Sequence, residues 1–454
     1  MATWSLNSGD TVYWDFVAIG TYPGDEMVTQ SKKSNRVNVP QLAWWGDIEA
    51  ELSFPDGWEV TAWCMEGHDA PPLNEEGFRR AFANPIGTQP IRELARGKKN
   101  VVILFDDMSR PTKTSQIVPF VLEELTVAGV GEDNIQFICA QGTHGALTAY
   151  DFAKKLGEDV IARFNVYNHN IYENCTYVGK TSRGTPLSLN AEFMKADLKI
   201  GIGAILPHVN TGYGGGGKIV LPGSASLEAI LYNHATVRTR SKETGIDSNT
   251  GIGRYENNAQ LLDTMEACQM SGLNIKIDAI VNVKRDTTAL LVGEPSAEFY
   301  EGVTVAKRHY HTPLPDCPDV VVANCNAKAN ETPIGKTVAQ ALLPDSGGTL
   351  VMITNNPCGE VIHYLRRRFG NHIGGRGWRL PTLSSKVKKF ILLMPYKNKA
   401  SVDWIAPSES ITWARTWDEV LSILEKDYPD GAKVAVIPDA TIQLFDVEAT
   451  LYYF

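Results

Sequence analysis

The sequence predicts an α/β fold of two domains with mostly parallel sheets, and three observations carry that expectation. Short apolar runs recur along the chain, each closed by a turn of glycine, proline and polar residues. Segments of helical spacing lie between them, which is the rhythm of parallel βαβ units. The 454 residues also exceed what one hydrophobic core usually serves.

The elements follow in order. The stretch to about residue 95 reads as loops with short extended pieces. NVVILF (100–105) is a buried-strand run ended by DDMSRPT (106–112). TSQIVPFVLEELTVA (114–128) has helical spacing, with Pro119 as a blemish. NIQFICA (134–140) is a second strand leading into QGTHG, and DFAKKLGEDVIARF (151–164) is an amphipathic segment. DLKIGIGAI (197–205) is a third strand that opens into LPHVNTGYGGGGK, and SASLEAILYNH is a helix ending at His234. The series then restarts. DAIVNV (278–283), DVVVANC (319–325), GTLVMIT (348–354), KFILLM (389–394) and KVAVIP (433–438) read as strands, with VAQALL, EVIHYLRRRF and WDEVLSIL as helices between them. The division expected is a domain over 1–275 that holds the chemistry and a second over 276–454, with the active site in the cleft between them. The last 20 residues could pack back on either domain.

Composition narrows the class of function. Apolar content of 43% and charged content of 21% are those of an ordinary globular protein. A net charge of −9 argues against a nucleic-acid partner, yet leaves room for a small anionic substrate held by a few local cations. The first residues show neither a basic leader nor an apolar core, and no apolar run approaches the roughly 18 residues of a membrane span. Seven scattered cysteines without a C-x-x-C pair indicate neither a disulfide framework nor a thiolate zinc site, so a reduced cytoplasm is expected. Oligomeric state leaves no trace in the sequence.

Ligands bind open parallel sheets beyond the carboxyl ends of the strands. Three successive strand ends in the first half carry reactive groups: Asp107 and Arg110, then His144, then His208 with Lys218. Each has a plainer reading. Asp107 and Arg110 could pair and cap the next helix, His144 could be structural, and His234 could serve as a helix-dipole partner. A loop arginine nonetheless suits bidentate capture of carboxylate or phosphate. HYH (309–311) looks like a metal pair only in isolation, and His68, His169, His309, His311, His363 and His372 offer nothing beyond packing. GYGGGGKIVLPG (212–223) comes within one residue of the phosphate-binding G-x-x-x-x-G-K-[ST], but Ile219 stands where the magnesium-binding hydroxyl belongs. A conventional nicotinamide site also fails, because GIGAI lacks the third glycine of its fingerprint. Gly215, Gly216 and Gly217 permit close backbone approach, so a flat or bulky ligand is expected against them.

With these motifs assembled, the chain resembles the nickel-dependent lactate racemase family, whose members use a nickel-pincer nucleotide. The resemblance is carried by DDMSRPT, AQGTHG (140–145), TSRGTPLSLN (181–190), LPHVNTGYGGGGKIVLPG (206–223) and the YNH ending at His234. It is strong over about 95–240 and looser elsewhere. It implies that Lys218 is joined covalently to the cofactor, a pyridinium mononucleotide with thioamide and thiocarboxylate arms. It implies that His234, sixteen residues on, ligates nickel, an acceptable donor for a tetragonal ion. It further implies that His144 and His208 are acid/base groups, and that Asp107 and Arg110 lie by substrate and cofactor. Thr181, Ser182 and Arg183 are expected to scaffold the cofactor site. Cofactor-maturation proteins are the partners implied.

The sequence departs from the family where a Gly-Gly-Tyr-Pro stretch is expected: DVVVANCNAKANETPIGK reads Asn-Cys-Asn-Ala there. Lys328, with Lys336 as fallback, is the substrate-binding lysine expected, and either Trp378 or Trp404 the active-site tryptophan. The reaction implied is racemisation or epimerisation of a 2-hydroxy acid by hydride removal to a planar 2-keto acid, with one histidine base for each enantiomer. A binding protein of the same fold, which has no use for two opposed bases, is the alternative.

Overall fold

The computed structural model describes residues 18–19, 31–237, 250–365, 381–399 and 404–447. Among them, two seven-stranded sheets dominate. The first runs Ala18–Ile19, Thr287–Gly293, Ile275–Val281, Leu198–Ala204, Val101–Phe105, Ile135–Cys139, Asn165–Asn168. Its last five strands are parallel, and its first two are antiparallel additions at one edge. The Val101–Phe105 strand has every residue buried, as a parallel strand covered on both faces demands.

The second sheet runs Ile411–Ala414, Val387–Leu393, Gly348–Thr354, Val320–Cys325, Lys433–Ile437, Glu59–Trp63, Ser31–Lys33, parallel except for the last pair. This pairing divides the chain differently from a cut at 275. Ile275–Val281 and Thr287–Gly293 complete the first sheet, and the helix Pro295–His309 follows them. Residues before 64, expected as loops with short extended pieces, give two strands to the second sheet and a hairpin, Arg36–Gln41 with Ile48–Ser53, that packs on it. Lys433–Ile437 sits inside the second sheet, after which Ile442 and Leu444 enter the core of the first.

Two helices differ from expectation for local reasons. Pro119 lies in the first turn of Val118–Val127, where a missing N–H costs nothing, so it starts that helix instead of flawing it. EVIHYLRRRF is not helical over residues 360–365. There Val361 N–H donates to Asn330 O (2.7 Å) and Tyr364 N–H to Thr143 O (2.8 Å), so the backbone pairs outward between domains. The rest of that segment, with His372 and Trp378, lies outside the described residues. No helix among the described residues is long and apolar enough to cross a membrane.

The turn after Val101–Phe105 is fixed by a buried charge. Lys155, fully buried on the helix Ala149–Leu156, donates to Asp106 Oδ1 (2.6 Å), Arg110 O (3.2 Å) and Thr112 O (3.0 Å). Thr112 Oγ1 closes the turn onto Asp106 Oδ2 (2.5 Å). Replacing Lys155 by Met leaves Asp106 without its cation and is expected to cost about 3–5 kcal/mol, read as a loss of thermal stability.

Candidate active site

A pocket opens at the carboxyl ends of the first sheet. Asp107, Arg110, His144, His208, Gly215, Lys218 and His234 all line it. The second domain closes it with Glu331, Pro333, Ile334, His363 and Trp404. Lys328 stands behind this wall, its Nζ on Pro207 O (3.1 Å) next to His208. Lys336 turns to Ile405 O (2.7 Å) and Thr382 O (3.3 Å) instead. Glu331 and His363 were missed from sequence. Glu331 carried a signal, lying three residues after Lys328 in a strand-end loop, whereas His363 sat in an apparent helix.

Gly215 lines the pocket, but Gly216 and Gly217 do a different task from the one expected. Gly212, Gly215 and Gly216 have φ of 76°, 89° and 51°, which side chains rarely adopt. A Cβ on Gly216 would meet Phe299 at 2.6 Å, and one on Gly217 would meet Cys268 at 2.9 Å and Thr264 O at 3.0 Å. Gly216 and Gly217 are therefore pressed against the protein's own core, and they do not line the pocket. Asp278, fully buried beneath them, accepts from Gly216 N–H (2.6 Å) and is ion-paired with Lys276. The short helical turn Gly216–Ile219 then delivers Lys218 to the pocket wall.

Among the described residues no carboxylate pairs with the Lys218 amine. Burial, then the Arg110 charge, then Lys328, with Glu331 opposing, bring its pKa down to about 7. Much of it is thus the neutral, nucleophilic amine near neutral pH.

The two histidines sit in opposite fields. Burial alone would lower His144, but the Asp107 carboxylate 2.6 Å from Nδ1, and then Glu331, hold it above its ordinary value. A carboxylate partner makes Nδ1 the donor, so Nε2 is the atom that gains or loses the proton. Asp107 would itself be raised by burial. His144, Arg110 and the Ser109 hydroxyl instead hold it well below the carboxylate range. His208 lies well below its usual value through burial, followed by Lys218, Lys328, Arg110 and His234. Its Nδ1 accepts from the amides of Asn210 (3.1 Å) and Thr211 (3.4 Å), which places its proton on Nε2.

His234 lies in a π-helical turn, Tyr232–Val237, a geometry often found at functional sites. Its Nδ1 donates to Ile230 O (3.2 Å), which makes Nε2 the lone-pair atom, as a metal-binding imidazole requires. Among the described residues no three His, Cys, Asp or Glu side chains converge on a metal position.

Residues 45–245 match the family of the lactate racemase N-terminal domain. Lactate racemase of Thermoanaerobacterium thermosaccharolyticum is 26% identical over 392 residues, covering 80% of this chain and 89% of that one. Lactate racemase of Lactiplantibacillus plantarum is 26% identical over 396 residues, with the same coverage. In structure, the Thermoanaerobacterium lactate racemase apoprotein aligns with TM-score 0.66 at 22% identity, over 90% of this chain and 100% of that one. A Thermotoga maritima protein aligns with TM-score 0.60 at 16% identity, over 83% and 99%. These two alignments establish a shared fold.

Two outcomes are expected. Lys218→Met removes the charge that, after burial, most depresses His208, so the His208 imidazole pKa should rise in an NMR titration of the metal-free protein. Gly216→Ala should destabilise by about 1–3 kcal/mol or more in thermal denaturation, from strained φ and the Phe299 clash.

Proposed function

This chain carries the lactate racemase N-terminal domain and is a relative of the lactate racemases, and from that premise we propose that it inverts C2 of a small 2-hydroxy acid by way of a 2-keto acid. The observation that carries the reading is the convergence of Lys218, His234, His144 and His208 on one pocket.

A nickel-pincer nucleotide joined to Lys218 would supply the hydride acceptor. The residues fit such a group. Lys218 has a pKa of about 7 and no carboxylate partner among the described residues, and the Nδ1 of His234 is engaged by Ile230 O, which suits metal binding through Nε2. Loading would fall to cofactor-maturation proteins.

The rest of the work belongs to the chain's own side chains. Arg110 donates through Nη1 to Glu331 Oε2 (2.7 Å), Ser109 Oγ (2.8 Å) and Ser109 O (3.0 Å). Its Nε and Nη2 donate to no described residue, and that edge matches a substrate carboxylate. His144 Nε2 takes the C2 hydroxyl proton, and Asp107 stabilises the imidazolium that forms. His208 donates through Nε2 to the substrate oxygen. As the base for the opposite enantiomer, its ring has to turn so that a lone pair enters the pocket. Trp404 and Ile334 cover the site and keep water from the keto intermediate.

Produced beside a competent maturation system, the protein should bind nickel near stoichiometry and gain mass at Lys218. Lys218→Ala should lose both, together with racemisation. Full activity of that variant would refute the assignment. His144→Ala should lower kcat/KM by about 10²–10⁴ when the hydroxyl proton is transferred in the rate-limiting step.

A further inference from the structure

The pocket contains a carboxylate that the inversion as described does not use. Glu331 follows the Val320–Cys325 strand in the loop that leads to the helix Pro333–Ala341. Its side chain is 10% exposed and lines the pocket. One oxygen, Oε2, is held by Arg110 at 2.7 Å. The other, Oε1, lies 4.0 Å from His144 Nε2, beyond hydrogen-bond length, and no described residue donates to it.

A latch between domains needs only the Arg110 contact. It leaves unexplained why the second oxygen of a nearly buried carboxylate ends without a donor beside the atom that takes the substrate proton. That oxygen faces the pocket and can accept from a donor bound there. The surroundings keep Glu331 charged. Burial alone would raise it, but Arg110, His144 and Lys328 hold it below its ordinary value. It is thus an acceptor and never a donor at neutral pH.

Its position relative to His144 identifies the group it reads. The C2 hydroxyl must sit on His144 Nε2 to lose its proton, so a donor on the neighbouring carbon falls next to Glu331 Oε1. A C3 hydroxyl supplies that donor, because the oxygens of a vicinal diol stand about a hydrogen-bond length apart. A C3 methyl group, as in lactate, would leave Oε1 unpaired. A second substrate carboxylate would face a like charge there.

We propose that Glu331 is a specificity-determining residue, and that the preferred substrate is a 2,3-dihydroxy or longer polyhydroxy monocarboxylic acid. This rests on the racemase reading for the reaction but not for the binding preference, so the two are tested apart.

The probes are glycerate, lactate and malate, each as both enantiomers. Binding is measured by calorimetry on the protein as it purifies, and loss of optical activity on the nickel-loaded protein. Wild type should bind glycerate about tenfold or more tightly than lactate, with malate weakest, as a charge-assisted hydrogen bond gives. Glu331→Gln should bring the glycerate-to-lactate ratio towards one, partly by freeing Arg110 to hold lactate more tightly. Glu331→Asp keeps the charge by Arg110 but withdraws the oxygen, so it should lower the same ratio in a folded protein. Equal binding of glycerate and lactate by wild type would overturn the proposal, as would a ratio unchanged in both variants. Preferential glycerate binding without racemisation by nickel-loaded protein would leave the hydroxyl subsite standing and remove the racemase reading. Racemisation of lactate and glycerate with equal kcat/KM would do the reverse.

Discussion

Everything at this site depends on burying positive charge at the carboxyl ends of one parallel sheet. Lys218, Arg110 and Lys328 share a pocket region that water screens poorly, opposed by Glu331, with Asp107 beside Arg110 and Asp439 beside Lys328. The same field brings Lys218 and Lys328 each to about 7 and keeps His208 neutral. His144 escapes it because Asp107 grips its other nitrogen. Two imidazoles in one cavity thus rest with opposite preferences for the proton.

The scaffold that makes this burial tolerable is itself charged and packed. Lys155 and Asp106 fix the turn that carries Asp107 and Arg110, and Asp278 with Lys276 fixes the turn that carries Lys218. Glycine at 216 and 217 follows from that second arrangement, because Phe299 and Cys268 occupy the space a side chain would need. The interdomain wall is held by backbone as well as by Glu331. Residues 361–364 bond to Asn330 on one side and to Thr143 and Gly145 on the other, which brings His363 against His144 with ring centroids 5.1 Å apart.

Much of this was legible in the sequence, and the reasons differ by residue. Buried parallel strands are continuous apolar runs, so Val101–Phe105, Ile135–Cys139 and Leu198–Ala204 stood out, and the residues after them fell where such sheets bind ligands. Strand order is a long-range property, which is why the contribution of residues 31–63 to the second sheet and the place of Ile275–Val281 in the first were not visible. The role of Gly216 and Gly217 was hidden for a related reason. A glycine run looks alike whether a ligand or the core lies against it, and only Phe299 and Cys268, far away in sequence, decide. Glu331 and Lys328 both stand in the strand-end loop. The positive charge drew attention to Lys328, although the carboxylate is the group that lines the pocket.

The measurement that tests the central claim most directly is the ionisation of Lys218 itself, taken as the pH dependence of its acylation by a small amine-specific reagent and read peptide by peptide in the metal-free protein. A midpoint near 7, well separated from the ordinary lysine value of about 10.4, is what burial among Arg110 and Lys328 requires. A midpoint near 10 would contradict it, for Lys218 would then be an ordinary solvated ammonium and the electrostatic basis of the site would fall with it.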